Sequence, residues 1–399
     1  MKLQARVAVH IPGAAQLRDG VVGLPGNMGA MVRGLADAVA HLDVVAYDPP
    51  AHASENRDRP EYEFDAPASL RVVSLGSKGS VRDFPQRRRR VAAIVREASG
   101  DWDLTIYRLV NRRAGLVARA NRSPRVVGYI GGHTATTLAQ THVPAWRRLA
   151  AKPALYAANR GLMSIARSAG LFLANGEELV DRYNALGISA ELLRTSSTFE
   201  ADFFTTSDRF TEPEIRLVVA GRVTAAKGVL DAFEAFQIAR ERLSRHVRLL
   251  IVGDGDAVPE LRARVYAAGL GDVVEFRGWQ PAGPKVLAQL REGDALVHLS
   301  KAESMPRMVW EAMSQSVPVV ATPVGSLPRV FDDAEHLLFV PLEDPEAVAD
   351  AIVRLADDQE LRRKLIAAGA EAVKDVSVES ITADLIGRIT RRWPELALA

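Results

Sequence analysis

Two glutamates eight residues apart form the most chemically informative part of this sequence. Glu303 lies just before a proline-opened helix predicted over residues 306–315, and Glu311 lies inside that helix. Apolar runs at residues 294–300 and 317–322 flank the helix and are typical of buried strands. Because parallel sheets bind ligands outside the carboxyl ends of their strands, this βαβ pattern predicts carboxylates at a site for a polyhydroxylated ligand. The alternative is that both glutamates are solvated surface residues.

Two cations follow a second predicted strand. Residues 215–220 form a continuous apolar run that ends at Gly221 and Arg222, and Lys227 precedes the next helical pattern. Arginine can fork onto two oxygens and lysine acts as a point charge, so the pair is placed to neutralise a diphosphate. The alternative is a pair of exposed surface cations.

These residues resemble the E-x7-E signature of the large retaining glycosyltransferases of family four. The family pattern EGFPxxxxEAMAxGxPVVA stands here as ESMPRMVWEAMSQSVPVVAT over residues 303–322, and the pattern G-R-x4-K-G matches residues 221–228. The likeness is strong over residues 214–342 and weak over the first 200. It implies transfer of a sugar from a UDP- or GDP-linked donor to a hydroxyl acceptor, with retention and without a metal or other cofactor.

The resemblance also implies roles for single residues. Arg222 and Lys227, with the backbone at Gly221, would hold the diphosphate, while Glu303 would orient sugar hydroxyls and Glu311 would grip the ribose diol. The segment that would contact the sugar or the phosphate through its backbone consists of Ser304, Met305, Pro306 and Arg307. Ser304 replaces the family's usual glycine and Arg307 its common asparagine, so the identity of the donor sugar stays open.

The loop after a shorter predicted strand, residues 273–278, faces the nucleobase in the resembling family. Trp279 and Gln280 are therefore predicted to contact the base. The run Asp254-Gly255-Asp256 could be a D-x-D metal element, but it directly follows a buried strand, where such a run is ordinary turn chemistry. No metal site is predicted.

Two loops of the first half complete the predicted site. Gly26 and Asn27 open a helix predicted over residues 28–39, where backbone amides could approach a phosphate. The family usually has two glycines at this place, so the contact made by Asn27 stays open. His133 follows the strand predicted over residues 126–130, and relatives place a histidine there near the donor sugar. The alternative for His133 is a cap on the following helix.

Length and patterning predict two α/β domains. The chain has 399 residues, of which 48% are hydrophobic, and this is enough for two cores. Apolar runs separated by helical patterns are typical of doubly wound parallel sheets. We therefore expect two Rossmann-like domains facing a cleft, the GT-B arrangement, with residues 1–205 as the acceptor-side domain and residues 206–377 as the donor domain. The resemblance implies that a helix within residues 378–399 packs back on the first domain.

Charge is distributed unevenly along the chain. Residues 1–200 carry 27 lysines and arginines against 18 acidic residues, whereas residues 201–399 carry 24 against 31. The run from Arg87 to Arg90 begins a predicted amphipathic helix. This helix could contact an anionic membrane surface or a phosphorylated acceptor, or it could be a solvated basic face. Without an aromatic-interleaved basic module, nucleic acid is not a predicted partner.

The remaining features concern location and competing functions. The sequence has no cysteine and no apolar run of about eighteen residues, so we expect a cytoplasmic protein. The basic run from Arg87 to Arg90 would allow peripheral contact with the inner face of the membrane. Two other enzymes on the same frame are a sugar-nucleotide epimerase and a phosphorylase, although no motif for a lysine-bound pyridoxal phosphate is present. A catalytically silent scaffold is the alternative from a different class.

Overall fold

The computed structural model divides the chain into two compact units, each built around its own parallel sheet. It describes residues 2–49, 62–77, 84–109, 114–131, 145–206, 208, 210 and 213–397. Unit 1 comprises Met1–Thr195 and Val378–Ala399, and unit 2 comprises Ser196–Ser377. The alternation of apolar runs and helical patterns thus corresponds to two α/β units.

The main sheet of unit 1 has seven parallel strands in the order β10-β9-β8-β7-β1-β4-β6. Its strands are β1 (Leu3–Ala14), β4 (Val39–Tyr47), β6 (Leu70–Ser74), β7 (Leu104–Leu109), β8 (Val126–Ile130), β9 (Leu171–Ala174) and β10 (Ala190–Leu192). The chain builds outward from β1 to one side and then continues from β7 to the other side. This reversal of direction defines a doubly wound sheet, as predicted.

Helices cover both faces of this sheet. They are α1 (Gly26–Ala38), α2 (Phe84–Ala98), α3 (Ala114–Ala120), α4 (Ala145–Ser168), α5 (Glu177–Ala185) and the C-terminal helix α13 (Val378–Arg392). Helix α13 packs on α1, where Leu385 and Ile389 join the core around Val32. A Cβ atom on Gly34 would lie 2.4 Å from Thr382 Oγ1, so the missing side chain lets the two helices approach closely.

A small antiparallel sheet in unit 1 did not follow from the sequence pattern. It consists of β2 (Gln16–Arg18), β3 (Val21–Leu24) and β5 (Tyr62–Asp65) in that order. Because the β2-β3 hairpin lies between β1 and α1, helix α1 does not start directly at the end of the first strand.

The sheet of unit 2 has six parallel strands in the order β13-β12-β11-β14-β15-β16. They are β11 (Glu214–Ala220), β12 (His246–Val252), β13 (Val274–Gly278), β14 (Ala295–His298), β15 (Val319–Ala321) and β16 (Leu338–Phe339). The order reverses between β11 and β14. In doubly wound sheets the ligand crevice opens at such a switch point, outside the carboxyl ends of the two strands.

Alternate residues of these strands enter two separate cores. Leu217 and Leu249 face one core, and Val218 and Leu250 face the other. The covering helices are α6 (Val229–Arg242), α7 (Val258–Ala267), α8 (Pro284–Arg291), α9 (Arg307–Ser314), α10 (Leu327–Val330), α11 (Pro345–Asp357) and α12 (Gln359–Val373). None of the helices in the described ranges is both long and apolar enough to cross a bilayer.

The structure starts unit 2 at Ser196, earlier than the predicted start at residue 206. The physical reason is that the intervening segment is hydrogen-bonded to the end of helix α9. The Phe204 amide donates to the Ser314 carbonyl at 2.9 Å, and Gln315 Nε2 donates to the Asp202 carbonyl at 2.9 Å. Residues 196–205, which the sequence analysis placed in the first domain, therefore belong to unit 2.

A buried ion pair fixes the segment that leads into β11. Arg362 on α12 donates from Nε and Nη2 to the two carboxylate oxygens of Asp208, each at 2.8 Å. Its Nη1 donates to the carbonyls of Leu355 and Ala356 at the end of α11. Burial raises the pKa of the Asp208 carboxyl, but the hydrogen bonds from Arg362 and from the Phe210 amide outweigh this and hold that pKa below its usual range.

We expect Arg362→Met to lower the free energy of unfolding of unit 2 by about 3–5 kcal/mol, because it leaves Asp208 buried without its cation. Urea unfolding at pH 7 measures this change. The exposed pair Arg264–Glu260 provides the control, and Arg264→Met should cost less than about 1 kcal/mol. The folded pKa of Asp208 is depressed, so the pair contributes fully above the unfolded pKa of about 3.9 and its contribution is lost as pH falls further. Equal costs for the two variants would contradict the assignment.

Candidate active site

The two predicted cations lie in the loop of residues 221–228 that joins β11 to α6, which we call the cation loop. Gly221 follows β11 with a φ of 126°, and a 3₁₀ turn (Ala225–Lys227) precedes Gly228, whose φ is 65°. Arg222 is exposed and Lys227 is half-buried. Both residues are therefore at the carboxyl end of β11, beside the switch point of the sheet.

Glycines let this loop pack backbone against backbone. A Cβ atom on Gly253 would lie 1.8 Å from the Gly221 carbonyl oxygen, and one on Gly228 would lie 2.1 Å from the Leu299 carbonyl oxygen. Both glycines also have positive φ, which L side chains rarely adopt. The loops after β11, β12 and β14 are consequently held at distances that only glycine allows.

Residues 299–306 follow β14 on the other side of the switch point, and we call them the acidic segment because they contain Glu303. The Lys301 amide donates to the Ala226 carbonyl at 2.9 Å, which ties this segment to the cation loop. Ser304 and Met305 lead to Pro306, which is the N-cap residue rather than the first residue of helix α9. The predicted helix over residues 306–315 is thus one residue shorter at each end.

Lys227 and Glu303 form an ion pair, and this was not predicted. Lys227 Nζ contacts Glu303 Oε1, and Ser300 Oγ donates to the same oxygen at 3.2 Å. The two side chains are 18% and 17% exposed, so the pair is largely shielded from water. The sequence assigned Lys227 to a phosphate and Glu303 to sugar hydroxyls, whereas here each neutralises the other. A ligand that binds both Lys227 and Glu303 must therefore break this ion pair and replace it with contacts of its own.

Glu311 lies in a second polar cluster of unit 2. Its side chain is buried and accepts a hydrogen bond from Ser197 Oγ. Arg307 Nη1 donates to Ser197 Oγ at 3.0 Å and lies 3.8 Å from Glu311 Oε1. The arginine that replaces the family's asparagine thus helps to hold the second glutamate. Ser197 was missed because it lies 114 residues away in the sequence, in a segment without a recognisable motif.

His298 is a further residue that the sequence analysis missed. It ends β14, is 8% exposed, and its Nε2 atom lies 3.8 Å from Glu303 Oε1. Burial lowers the pKa of His298 to about 4, with a smaller effect of Glu303 in the opposite direction and a further lowering by Lys227. The available signal was a histidine at the carboxyl end of an otherwise apolar strand.

Trp279 and Gln280 follow β13, which is an outermost strand of this parallel sheet. They lie at the carboxyl ends of the strands, as the cations and Glu303 do, but two strands away from β11. Trp279 is 37% exposed, and Gln280 Nε2 donates to the Arg277 carbonyl at 3.0 Å. Asp254 Oδ1 accepts from the Gly255 amide at 2.8 Å, which is turn geometry. No group of three or more metal-ligating side chains occurs among the residues that the structure describes, and the expectation of a metal-independent reaction stays a prediction.

The predicted site residues are divided between the two units. Arg222, Lys227, Glu303 and Glu311 belong to unit 2, whereas Gly26 and Asn27 form the start of α1 in unit 1. The Met28 amide donates to the Pro25 carbonyl there, at 2.8 Å. His133 lies outside the described residues, so its predicted role stays a prediction.

Comparison with known proteins relates the second half of the chain to sugar-transferring enzymes. Residues 202–372 match the family model described as glycosyl transferases group 1. The chain is 35% identical over 167 residues to a phosphatidyl-myo-inositol mannosyltransferase of Mycobacterium leprae, which covers 42% of this chain and 40% of the relative. It is 31% identical over 149 residues to an alpha-D-kanosaminyltransferase of Streptomyces kanamyceticus, covering 37% and 38%. The matches thus span about two fifths of these relatives.

Solved structures resemble the chain over nearly its whole length. Anabaena HepE in complex with UDP-glucose gives a TM-score of 0.69 at 15% identity and covers 97% of this chain and 100% of that one. Sucrose-phosphate synthase from Thermosynechococcus elongatus gives 0.72 at 19% identity and covers 98% and 100%. At these identities the likeness concerns the fold. It confirms the predicted fold class of two Rossmann-like α/β domains of the GT-B type.

We expect Gly325→Ala to destabilise unit 2 and to distort the acidic segment. Gly325 has a φ of 59°, and its Cβ atom would lie 2.6 Å from the carbonyl oxygens of both Glu303 and Ser304. Gly269 has a φ of 67° with no atom within 4 Å of its Cβ position, so Gly269→Ala is a matched control. Gly269→Ala should cost about 1 kcal/mol, and Gly325→Ala about 1–3 kcal/mol more, as measured by urea unfolding. Similar losses in both variants would show that the backbone contact is unimportant.

Proposed function

We propose that this protein is a retaining glycosyltransferase that moves a sugar from a nucleotide-diphosphate donor to a hydroxyl acceptor. The observation that carries the proposal is the meeting of the cation loop after β11 with Glu303 from the segment after β14. Both lie at the switch point of a doubly wound sheet, where this type of fold binds its ligands. Donor recognition would therefore reside in unit 2.

Three further observations support a nucleotide-sugar donor. The family match over residues 202–372 includes the cation loop and both glutamates. The relatives named above transfer a mannosyl and a kanosaminyl group, and HepE was crystallised with UDP-glucose. An exposed arginine and a half-buried lysine in the loop that leads into α6 suit a diphosphate, because the amides at the start of that helix add a favourable field for an anion. UDP- and GDP-sugars are the proposed donors.

The proposed reaction begins with an exchange of partners. The diphosphate takes Lys227 away from Glu303, and Arg222 closes on the same phosphates from the solvent side. Glu303 is then available to accept hydrogen bonds from sugar hydroxyls. Glu311 accepts hydrogen bonds from the ribose diol through Oε2, the carboxylate oxygen to which Ser197 does not donate. Binding of the donor thus replaces one shielded ion pair by two new charge-assisted contacts. Because inorganic phosphate is also an anion, it would compete with the donor for Lys227.

Bond cleavage then separates charge. The bond between the anomeric carbon and the phosphate oxygen breaks, positive charge develops on the carbon, and negative charge develops on the departing diphosphate. Arg222 and Lys227 stabilise that negative charge as it forms, which is where preorganised groups contribute most. For a retaining transfer without a protein nucleophile, the acceptor attacks from the face that the phosphate leaves. The phosphate oxygen accepts the hydroxyl proton of the acceptor, so neither glutamate acts as a glycosidase acid or base.

The other predicted contacts keep their assigned roles within this proposal. Trp279 and Gln280 contact the base, and the backbone at Ser304, Met305 and Pro306 contacts the sugar or phosphate. Gly26, Asn27 and His133 act from the first half of the chain. No metal or organic cofactor takes part.

Donor hydrolysis provides the test that separates this function from its alternatives. The protein is incubated with mass-tagged UDP- and GDP-sugars, and the products are analysed by mass spectrometry. Free sugar with free nucleotide diphosphate supports a transferase, whereas a converted sugar nucleotide indicates an epimerase. No turnover with any donor, and no binding of either nucleotide, would leave the silent scaffold as the answer.

Lys227→Ala should reduce kcat/KM for the accepted donor by about a hundredfold or more, because it removes a charge from the departing diphosphate. Glu303 loses its partner at the same time, so the melting temperature should fall slightly. Lys364→Ala is the control, since Lys364 on α12 forms an exposed pair with Glu335. Its kcat/KM should equal that of the wild type. A Lys227→Ala variant with wild-type kinetics would exclude the proposed diphosphate site.

We also propose that helix α2 contacts an anionic membrane surface at the cytoplasmic face, where it would bring the enzyme to its acceptor. Val91 and Val95 on α2 are buried in the core of unit 1, whereas Arg88, Arg89 and Arg90 are exposed. With its apolar face already covered, the helix would bind through charge rather than through insertion. Each cation near such a surface contributes about 1 kcal/mol, and salt weakens the contact.

The double variant Arg88→Ala with Arg89→Ala should bind anionic vesicles at least about tenfold more weakly and hydrolyse donor at the wild-type rate. Vesicle sedimentation at low and at physiological salt measures the binding. The matched control is Arg363→Ala with Lys364→Ala on α12, which should leave vesicle binding unchanged. Equal binding by the wild type and the Arg88/Arg89 variant would remove the membrane proposal and leave the transferase proposal intact.

A further inference from the structure

His298 is a buried polar group next to the proposed sugar site. It lies two residues after Leu296, so both side chains point to the same face of the sheet, the face covered by α9. Within the described part of the chain, its buried Nε2 atom has no hydrogen-bond partner. Buried polar atoms without partners are rare in proteins because each loses its hydrogen bonds to water without replacement. This nitrogen therefore calls for a physical explanation.

The nearest candidate acceptor is already occupied. Glu303 Oε1 lies 3.8 Å from His298 Nε2, beyond hydrogen-bond distance, and the same oxygen contacts Lys227 and accepts from Ser300. Lys227 thus takes the place at Glu303 Oε1 that the N–H group of His298 would otherwise fill. A shift of less than one ångström would bring the imidazole and the carboxylate into hydrogen-bond distance.

The proposed donor would remove that lysine. When a diphosphate draws Lys227 away, Glu303 is left as a carboxylate that is only 17% exposed, with Ser300 as its remaining donor. A shielded carboxylate that loses a hydrogen-bond donor is destabilised unless another donor takes its place. A neutral donor on the protein side would meet this need and keep Glu303 in its orientation toward the sugar.

We propose that His298 is a positioning residue, whose Nε2–H donates to Glu303 when a donor diphosphate takes Lys227, and which thereby fixes the carboxylate for the sugar hydroxyls. This role rests on the proposed function. It assigns one proton on the ring to Nε2, and it makes the two states of Glu303 alternatives: paired with Lys227 in the free protein and with His298 in the donor complex.

The protonation of His298 agrees with this role. Burial keeps its pKa near 4, so the ring is neutral at pH 7 and brings no additional charge to the site. Lys227 lowers that pKa further, and Glu303 raises it. When Lys227 pairs with phosphate instead, Glu303 Oε1 is free to accept from the N–H of this neutral ring.

The test combines two substitutions at His298 with one at Glu303. His298→Phe keeps the ring shape without a donor, and His298→Gln places an amide N–H near the Nε2 position. Calorimetry measures binding of UDP and of GDP, and hydrolysis of the accepted donor gives kcat and KM. His298→Phe should weaken nucleotide binding and lower kcat by about tenfold each, and His298→Gln should restore both to within about threefold of the wild type.

Glu303→Gln distinguishes positioning from simple packing. An amide oxygen is a weaker acceptor than a carboxylate, so His298→Phe should cause a smaller loss of nucleotide binding in the Glu303→Gln background than in the wild type. The same additional loss in both backgrounds, or wild-type kcat and binding in His298→Phe, would overturn the role of His298 alone. A wild-type protein that neither binds UDP or GDP nor hydrolyses any donor would instead overturn the proposed function, and the His298 role with it.

Discussion

The candidate site of unit 2 depends on close contact between the backbones of neighbouring loops. Gly228, Gly253 and Gly255 each lie where a Cβ atom would overlap a carbonyl oxygen of an adjoining loop, at 2.2 Å or less. Gly325 makes the corresponding contact with the acidic segment at 2.6 Å. Because peptide groups rather than flexible side chains set these separations, the ends of β11 and β14 are held in one fixed relation. The positions of Lys227 and Glu303 follow from that relation.

Within this frame, four charged side chains are held by contacts inside unit 2: Lys227, Glu303, Arg307 and Glu311. Lys227 pairs with Glu303, and Ser197 and Arg307 hold Glu311. Groups that would each be expensive to bury alone are thereby kept in place at modest cost. A ligand must compete with these internal contacts, which favours molecules that offer both a strong anion and several hydroxyl groups. A nucleotide sugar has both features, whereas a simple anion or a free sugar has only one.

The sequence predicted the sheets better than the site. Buried parallel strands are continuous apolar runs, so the strand Val126–Ile130 was predicted with its observed bounds. The short strands β2, β3 and β5 carry no such signal, and they were missed. The motif residues were found because their spacing is local. Ser197 and His298 were not, since their contacts with the two glutamates depend on how distant segments pack.

The position of Ser197 has a consequence for the modular use of this fold. It lies two residues after the boundary at Thr195 and before residue 202, where the family match begins, yet it donates to the buried carboxylate of Glu311. A chimera that joined residues 206–377 to another first domain would lose this hydroxyl and leave Arg307 and Glu311 without their bridge. Recombination between relatives should therefore preserve the surroundings of Glu311 only when the crossover lies upstream of Ser196.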